Sequence, residues 1–176
     1  MVVQENKEIM NIDLNKLSKE IYEANKAKGF HDEKNSKEHM LCLVISELME
    51  AVEADRKGLT FNEIGYTDSV EMELADAVIR LLDTAGALEL ALYSFSKDSC
   101  DYGTTKNVFE NCLFTESIFI IIKRLLNSPL SLNLVISSII FDIENLCEVM
   151  NIDLWKHVEL KLKYNSLRPY KHGKKY

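Results

Sequence analysis

Two acidic pairs, Glu47-x-x-Glu50 and Glu73-x-x-Asp76, lie inside stretches that otherwise carry the pattern of buried helix. The first belongs to MLCLVISELMEAVEADRKG (residues 40–58) and the second to SVEMELADAVIRLLDTAG (residues 69–86). A helix turns about 100° per residue, so positions three apart stand roughly 60° apart and each pair makes one two-pronged carboxylate face. On the first helix Met40, Leu43, Ala51 and Ala54 fall on or beside the Glu47/Glu50 stripe. Carboxylates among such neighbours are costly to bury unless a cation or a hydrogen-bond donor compensates them. Four oxygen-donor groups on two consecutive helices therefore suggest a site for a hard divalent cation.

An E-x-x-E pair standing alone is more often a solvated helix face. The second stretch comes closer to that description, because Ser69, Glu73, Asp76, Arg80, Asp83 and Thr84 form one polar stripe that water could cover. No wide polar face surrounds Glu47, so the first stretch resists it. Two pairs on adjacent helices make cation binding the better reading.

E-x-x-E, a gap of 22 residues, and E-x-x-D within ELAD together resemble the signature of the MazG-like all-α nucleotide pyrophosphohydrolases. The segment KLKYNSLRPYKHGKK (residues 161–175) is similar to that family's K-x-x-x-N-x-x-R tail. Upstream, KGFHDEKN (residues 28–35) resembles the segment that precedes the first acidic helix. The resemblance covers roughly residues 14–90 and 145–175, while residues 95–145 match no part of it. It implies a single MazG-like domain over residues 1–176, and hydrolysis of a nucleoside triphosphate to its monophosphate and pyrophosphate in nucleotide-pool sanitation. The cofactor it implies is Mg²⁺, with Mn²⁺ as a substitute, held by Glu47, Glu50, Glu73 and Asp76 as metal ligands and catalytic residues. Which of these carboxylates orients or deprotonates the attacking water stays open. The family pattern also implies a homodimer or homotetramer.

Lys161, Asn165 and Arg168 are spaced i, i+4, i+7 and share a helical face. A Lys, an amide and a planar guanidinium on one face can hold phosphate oxygens and a sugar hydroxyl, which makes them the expected substrate-binding set. Without the resemblance, a solvated C-terminal helix is the plainer account. Lys171, Lys174 and Lys175 extend this basic arm and could close over phosphates. Glu53 and Asp83 are second-rank candidates for outer roles, and for both a solvated face is the plainer reading. Phe30 and His31 could stack on a base, though a loop anchor is the commoner fate of such a Phe. Asn25 could read a base edge, and Trp155 has the spacing of a core residue.

Other chemistries lack their residues. The chain has no G-x-x-x-x-G-K-[ST], G-x-G-x-x-G or G-x-S-x-G, and none of its 4 His follows a Glu at Glu-x-x-His spacing. A net charge of −7 argues against nonspecific nucleic-acid or anionic-membrane binding. Cys42, Cys100, Cys112 and Cys147 form no metal motif, and Cys42 and Cys147 occupy apolar contexts that suit buried free thiols. No signal-peptide pattern opens the sequence, and the apolar runs at 118–122 and 132–141 are too short to span a bilayer. A soluble cytoplasmic protein is expected. The alternative to an enzyme is a non-catalytic helical oligomerisation or regulatory module that keeps the fold. Metal binding without hydrolysis is weaker still.

These side chains need rigid elements to position them. With 6 Gly and 2 Pro the composition favours long helices, and an all-α antiparallel bundle of about five to six helices is expected. Capping and apolar spacing predict helices over about 13–28, 37–57, 69–95, 109–126 and 131–150, then a final one after Asp153 carrying Trp155, Val158, Leu162 and Leu167. Gly29 and Gly58 are the expected stops of the first two. Residues 59–67 and 96–106 are expected connections.

Overall fold

The computed structural model describes residues 12–61, 68–95 and 106–173, and the regular elements among them are all helical. Residues 96–105, Cys100 among them, residues 62–67 of the 59–67 connection, and Lys174 and Lys175 lie outside the described residues. Helix α1 spans Leu14–Ala27, α2 Lys37–Lys57 and α3 Val70–Ala87. Helix α4 spans Phe114–Asn127, α5 Leu132–Val149 and α6 Leu154–Ser166, followed by a short 3₁₀ turn, Tyr170–Gly173.

The helix starts follow local chemistry. Asp13 accepts from the amides of Asn15 and Lys16, Ser36 from His39, Ser69 from Met72, and Asp153 from Lys156, each satisfying a donor that the helix leaves open. Gly58 ends α2 in the left-handed region, φ 68°. Two expected boundaries shift. Helix α3 stops at Ala87 rather than near residue 95, because Glu89 turns left-handed at φ 52°. The chain beyond is then tied down by the Asn15 side chain, which donates to the Leu92 carbonyl at 2.9 Å and accepts from its amide at 2.8 Å. Helix α4 starts at Phe114 rather than 109. Residues 106–110 are helical by themselves, and Glu116 accepts from the Leu113 amide at 2.8 Å to open a new helix.

Helix α3 is the central element. Its closest packing is with α2, then α1 and α6, and α5 also touches it. Of its 18 residues, 13 are buried. The polar stripe on this helix is therefore not a water-covered face: Ser69, Glu73, Asp83 and Thr84 are all buried. Helix α1 comes close enough to α3 that Gly86 has no room for a side chain. A Cβ there would stand 2.6 Å from Tyr22 Cβ and 2.7 Å from the Ser18 carbonyl. Ser18 Oγ secures the same contact by donating to the Leu82 carbonyl at 3.0 Å.

The helices α4 and α5 join the same apolar core through Ile118, Ile121, Ile136, Ile139, Ile140 and Ile143. The outer side of α4 and its flanks leave Leu113, Phe119, Leu126 and Leu130 exposed. Cys147 is buried, which pushes its thiol up, whereas Cys42 is exposed and does not act as a core residue. Leu167 is likewise exposed, past the end of α6, and does not join the packed face of Val158 and Leu162. Among the described residues no helix is long and apolar enough to cross a membrane.

Candidate metal centre

Glu47 on α2 and Glu73 and Asp76 on α3 place carboxylate oxygens within 4.8 Å of one another. The spacing of three residues puts Glu73 and Asp76 on one face of α3, and the dense α2–α3 packing brings that face to Glu47. Unit charges of one sign about 4 Å apart repel by roughly 4 kcal/mol even at an effective dielectric of about 20, so such a group needs positive charge beside it.

Two side chains supply it. Arg80, one turn beyond Asp76 on α3, donates from Nε to Glu47 Oε1 at 3.1 Å. Lys161 reaches across from α6, with Nζ 2.7 Å from Asp76 Oδ2. Both cations are largely withdrawn from water, with side chains 19% and 6% exposed. If all five groups are ionised, three carboxylates face two cations and one negative charge is in excess. The carboxyl of Glu73 absorbs much of this. Burial pushes it up to about 7 against the pull of Lys161, and the charges of Asp76, Glu47 and Glu50 push the same way. Burial also raises Asp76, partly offset by Lys161. For Lys161, burial works downward, but Asp76, Glu73 and Glu47 outweigh it and keep the ammonium charged.

The structure thus brings together three of the four expected carboxylates. Glu50 stays exposed and accepts from Ser46 Oγ at 3.1 Å, outside the close group yet near enough to act on Glu73. Of the basic set, Lys161 alone enters the carboxylate group. Asn165 turns a buried Oδ1 that finds no partner among the described residues. Arg168 lies beyond α6, donates to the His172 carbonyl at 3.3 Å and stands over the Tyr164 ring. The described part of the basic arm, through residue 173, is docked on the α1–α2 loop. Lys28 Nζ donates to the Ser166 carbonyl at 2.9 Å, the Lys171 amide donates to the Lys28 carbonyl at 2.8 Å, and Tyr170 OH donates to Asp32. Gly29, at φ 84°, lies under the Tyr170 ring where any Cβ would collide.

Glu53 pairs with Arg56 and Lys57 on the surface, as a solvated face would. Asp83 instead receives a buried contact from His31 Nε2 at 2.9 Å. With Phe30, Asn35, His39, Met40, Leu43, Arg80 and Thr84, this pair lines a shallow cleft whose enclosed space is only about 20 Å³. Phe30 is half-buried, with its ring edge against His172 and its face 6.0 Å from the Arg80 guanidinium, so it is both a loop anchor and a cleft wall. Helical spacing alone leaves Arg80 as one member of the polar stripe, four residues beyond Asp76. It belongs to both the carboxylate group and the cleft.

Three carboxylates on two rigid helices are the donor set that Mg²⁺ or Mn²⁺ prefers, all oxygen and anionic. The residues fit such an ion. No family model, curated protein or solved structure matches the chain.

Proposed function

We propose that the protein is a Mg²⁺-dependent nucleotide pyrophosphohydrolase of the MazG-like type, cleaving a nucleoside triphosphate to the monophosphate and pyrophosphate. The observation that carries this reading is the convergence of Glu47, Glu73 and Asp76 within 4.8 Å, with a buried lysine from a third helix and with Arg80, which also lines the shallow cleft. The spacing resemblance of E-x-x-E, ELAD and K-x-x-x-N-x-x-R supports the same activity.

In this reading Glu47, Glu73 and Asp76 hold the metal. When bound, Mg²⁺ screens the tetra-anionic triphosphate and polarises the phosphorus under attack. Glu50, outside the close group, takes the role of orienting the water. The water passes a proton to Glu50 as its oxygen bonds to the α-phosphorus, the bridging bond to the β-phosphate breaks, and pyrophosphate leaves with that electron pair. Lys161 and Arg80 supply positive charge where the leaving group gains negative charge. The nucleoside end is directed over the shallow cleft, where Phe30 offers a ring face and Asn35 a polar side chain to a base edge.

The test is product analysis on a panel of nucleoside and deoxynucleoside triphosphates with Mg²⁺, with and without added pyrophosphatase. Monophosphate and pyrophosphate should appear together, with no early diphosphate. Accumulating diphosphate and orthophosphate, or full turnover in EDTA, would sink the reading.

The exposed Leu113, Phe119, Leu126 and Leu130 favour, in addition, self-association through α4. In that reading the protein is a homodimer or homotetramer. Light scattering at micromolar concentration should give at least twice the 20.2 kDa chain mass. The same surface is what an assembly module without catalysis would use, and an inactive yet oligomeric protein would select that alternative.

A further inference from the structure

The two cations of the carboxylate group do not stand behind it as fixed supports. Lys161 Nζ bonds directly to Asp76 Oδ2 and Arg80 Nε bonds directly to Glu47 Oε1. These are oxygens of the very carboxylates that the preceding reading assigns to a divalent ion. A divalent ion on the second oxygen of either carboxylate would still stand close to the cation already bonded to the first, and the two positive charges would repel. Both cations sit on long side chains, and Arg80 also borders the cleft.

We infer that Lys161 and Arg80 are exchangeable internal counter-ions, which hold Asp76 and Glu47 before the divalent ion does and pass to the substrate's phosphates when it takes their place. Arg80 is thereby a phosphate-binding residue. The exchange rests on Glu47, Glu73 and Asp76 being metal ligands, and it goes further by coupling the two ligands of the site.

The physical sense is a balance of charge. With neither ligand present, the two cations relieve repulsion among three nearby carboxylates. Displaced from Asp76 and Glu47 without an anion to meet, they would be two largely buried charges with no close partner, which is strongly unfavourable. A triphosphate supplies that anion, and the guanidinium fork of Arg80 is suited to phosphate oxygens. Metal and nucleotide should therefore bind cooperatively, each weak alone. By linkage the enhancement is the same in both directions.

Mn²⁺ binding to the purified full chain, followed by electron paramagnetic resonance, tests this without relying on turnover. The measurement is made with and without a triphosphate analogue whose α,β-bridge resists cleavage. Wild-type protein should bind Mn²⁺ about tenfold or more tightly with the analogue than without it, an effect on the order of typical coupling between sites. Lys161→Met and Arg80→Met should each bind Mn²⁺ alone more tightly than wild type, since a competing cation is gone. Both should lose most of the enhancement by the analogue. The charge-keeping variants Lys161→Arg and Arg80→Lys should retain weak binding of the metal alone, and thermal melts confirm that each variant is folded. If Lys161→Met does not fold, Arg80→Met and Arg80→Lys decide the matter.

Mn²⁺ affinities unchanged or weakened in the Met variants would overturn the exchange while leaving the metal site in place. Absence of Mn²⁺ binding in wild type and variants, with and without the analogue, would overturn the exchange together with the ligand assignment beneath it.

Discussion

Two regions of this protein bury carboxylates beside a basic side chain, and their surroundings differ. On α5, Asp142 is wholly buried and receives Arg124 Nη1 at 2.6 Å, but that arginine is 44% exposed and, among the described residues, no other carboxylate joins the pair. One turn on, Asn145 is wholly buried too. Its amide nitrogen and oxygen, like Asp142 Oδ2, find no partner among the described residues. At the α2–α3 contact, three carboxylates converge, both neutralising cations are themselves mostly buried, and one of them, Arg80, also lines a shallow cleft. Burial pushes both Glu73 and Asp142 up to about 7. A raised carboxyl therefore does not distinguish the two regions. Convergence of several donors on one point does.

The largest expected contrast is in turnover. Asp76→Asn and Glu47→Gln should lower kcat/KM by about a hundredfold or more, roughly 2.7 kcal/mol at 1.36 kcal/mol per tenfold. Asp142→Asn should leave it within about threefold, because no part of that pair reaches the site. Pyrophosphate release at saturating Mg²⁺ checks this, with thermal melts as the folding control. Equal losses in both regions would erase the distinction.

Next in size is an opposite effect on stability. Buried polar atoms left without partners cost about 1–3 kcal/mol, and an apolar residue of similar shape removes that cost. Asn145→Leu should raise urea stability by about that amount without loss of activity. A destabilised or inactive Asn145→Leu protein would mean that this amide has a partner or task of its own.

The pH dependence separates the regions through metal. A carboxyl raised from 4.5 (Glu73) or 3.8 (Asp142) to about 7 binds more protons in the folded state than in the unfolded state between those values. Its contribution is fully present below the unfolded value and lost as pH rises through about 7. Metal-free protein should therefore melt at lower temperature at pH 8 than at pH 5. Saturating Mg²⁺ should remove the part due to Glu73, as should Glu73→Gln. The part due to Asp142 should persist in Mg²⁺ and vanish in Asp142→Asn. A slope insensitive to both Mg²⁺ and Glu73→Gln would place the titration elsewhere.

The smallest expected effect is at Glu53. Its pairs with Arg56 and Lys57 are exposed, and exposed ion pairs contribute about 0–1 kcal/mol. Glu53→Gln should leave activity unchanged and stability nearly so. A loss of turnover comparable to that of Asp76→Asn would extend the site one turn along α2.

Much of the architecture was legible from local chemistry. The span of α2 and its Gly58 stop, the Asp13 and Asp153 caps, and the all-helical class follow from capping and apolar spacing, which act within a turn or two. The boundaries that shifted depended on contacts distant in sequence or on a local turn. Helix α3 ends early where Glu89 turns left-handed and Asn15, 77 residues before Leu92, holds the chain. The acidic pairs were legible as candidates because helical spacing alone puts Glu73 beside Asp76. Whether the α3 stripe faced water or protein was not, since periodicity marks a polar face without saying what covers it. Here α2 and α6 cover it, and Glu73 is buried.

By itself, then, the sequence determined which residues could share a helix face and where the helices begin: both are set by 3.6-residue periodicity and by hydrogen bonds between near neighbours. Only the tertiary structure decided that Glu47 rather than Glu50 meets the α3 pair, and that Lys161 rather than Arg168 reaches Asp76. It also gave Arg80 a place in both the carboxylate group and the cleft. Those choices depend on the rotation and approach of separate helices, which packing across the whole core sets and no single stretch encodes.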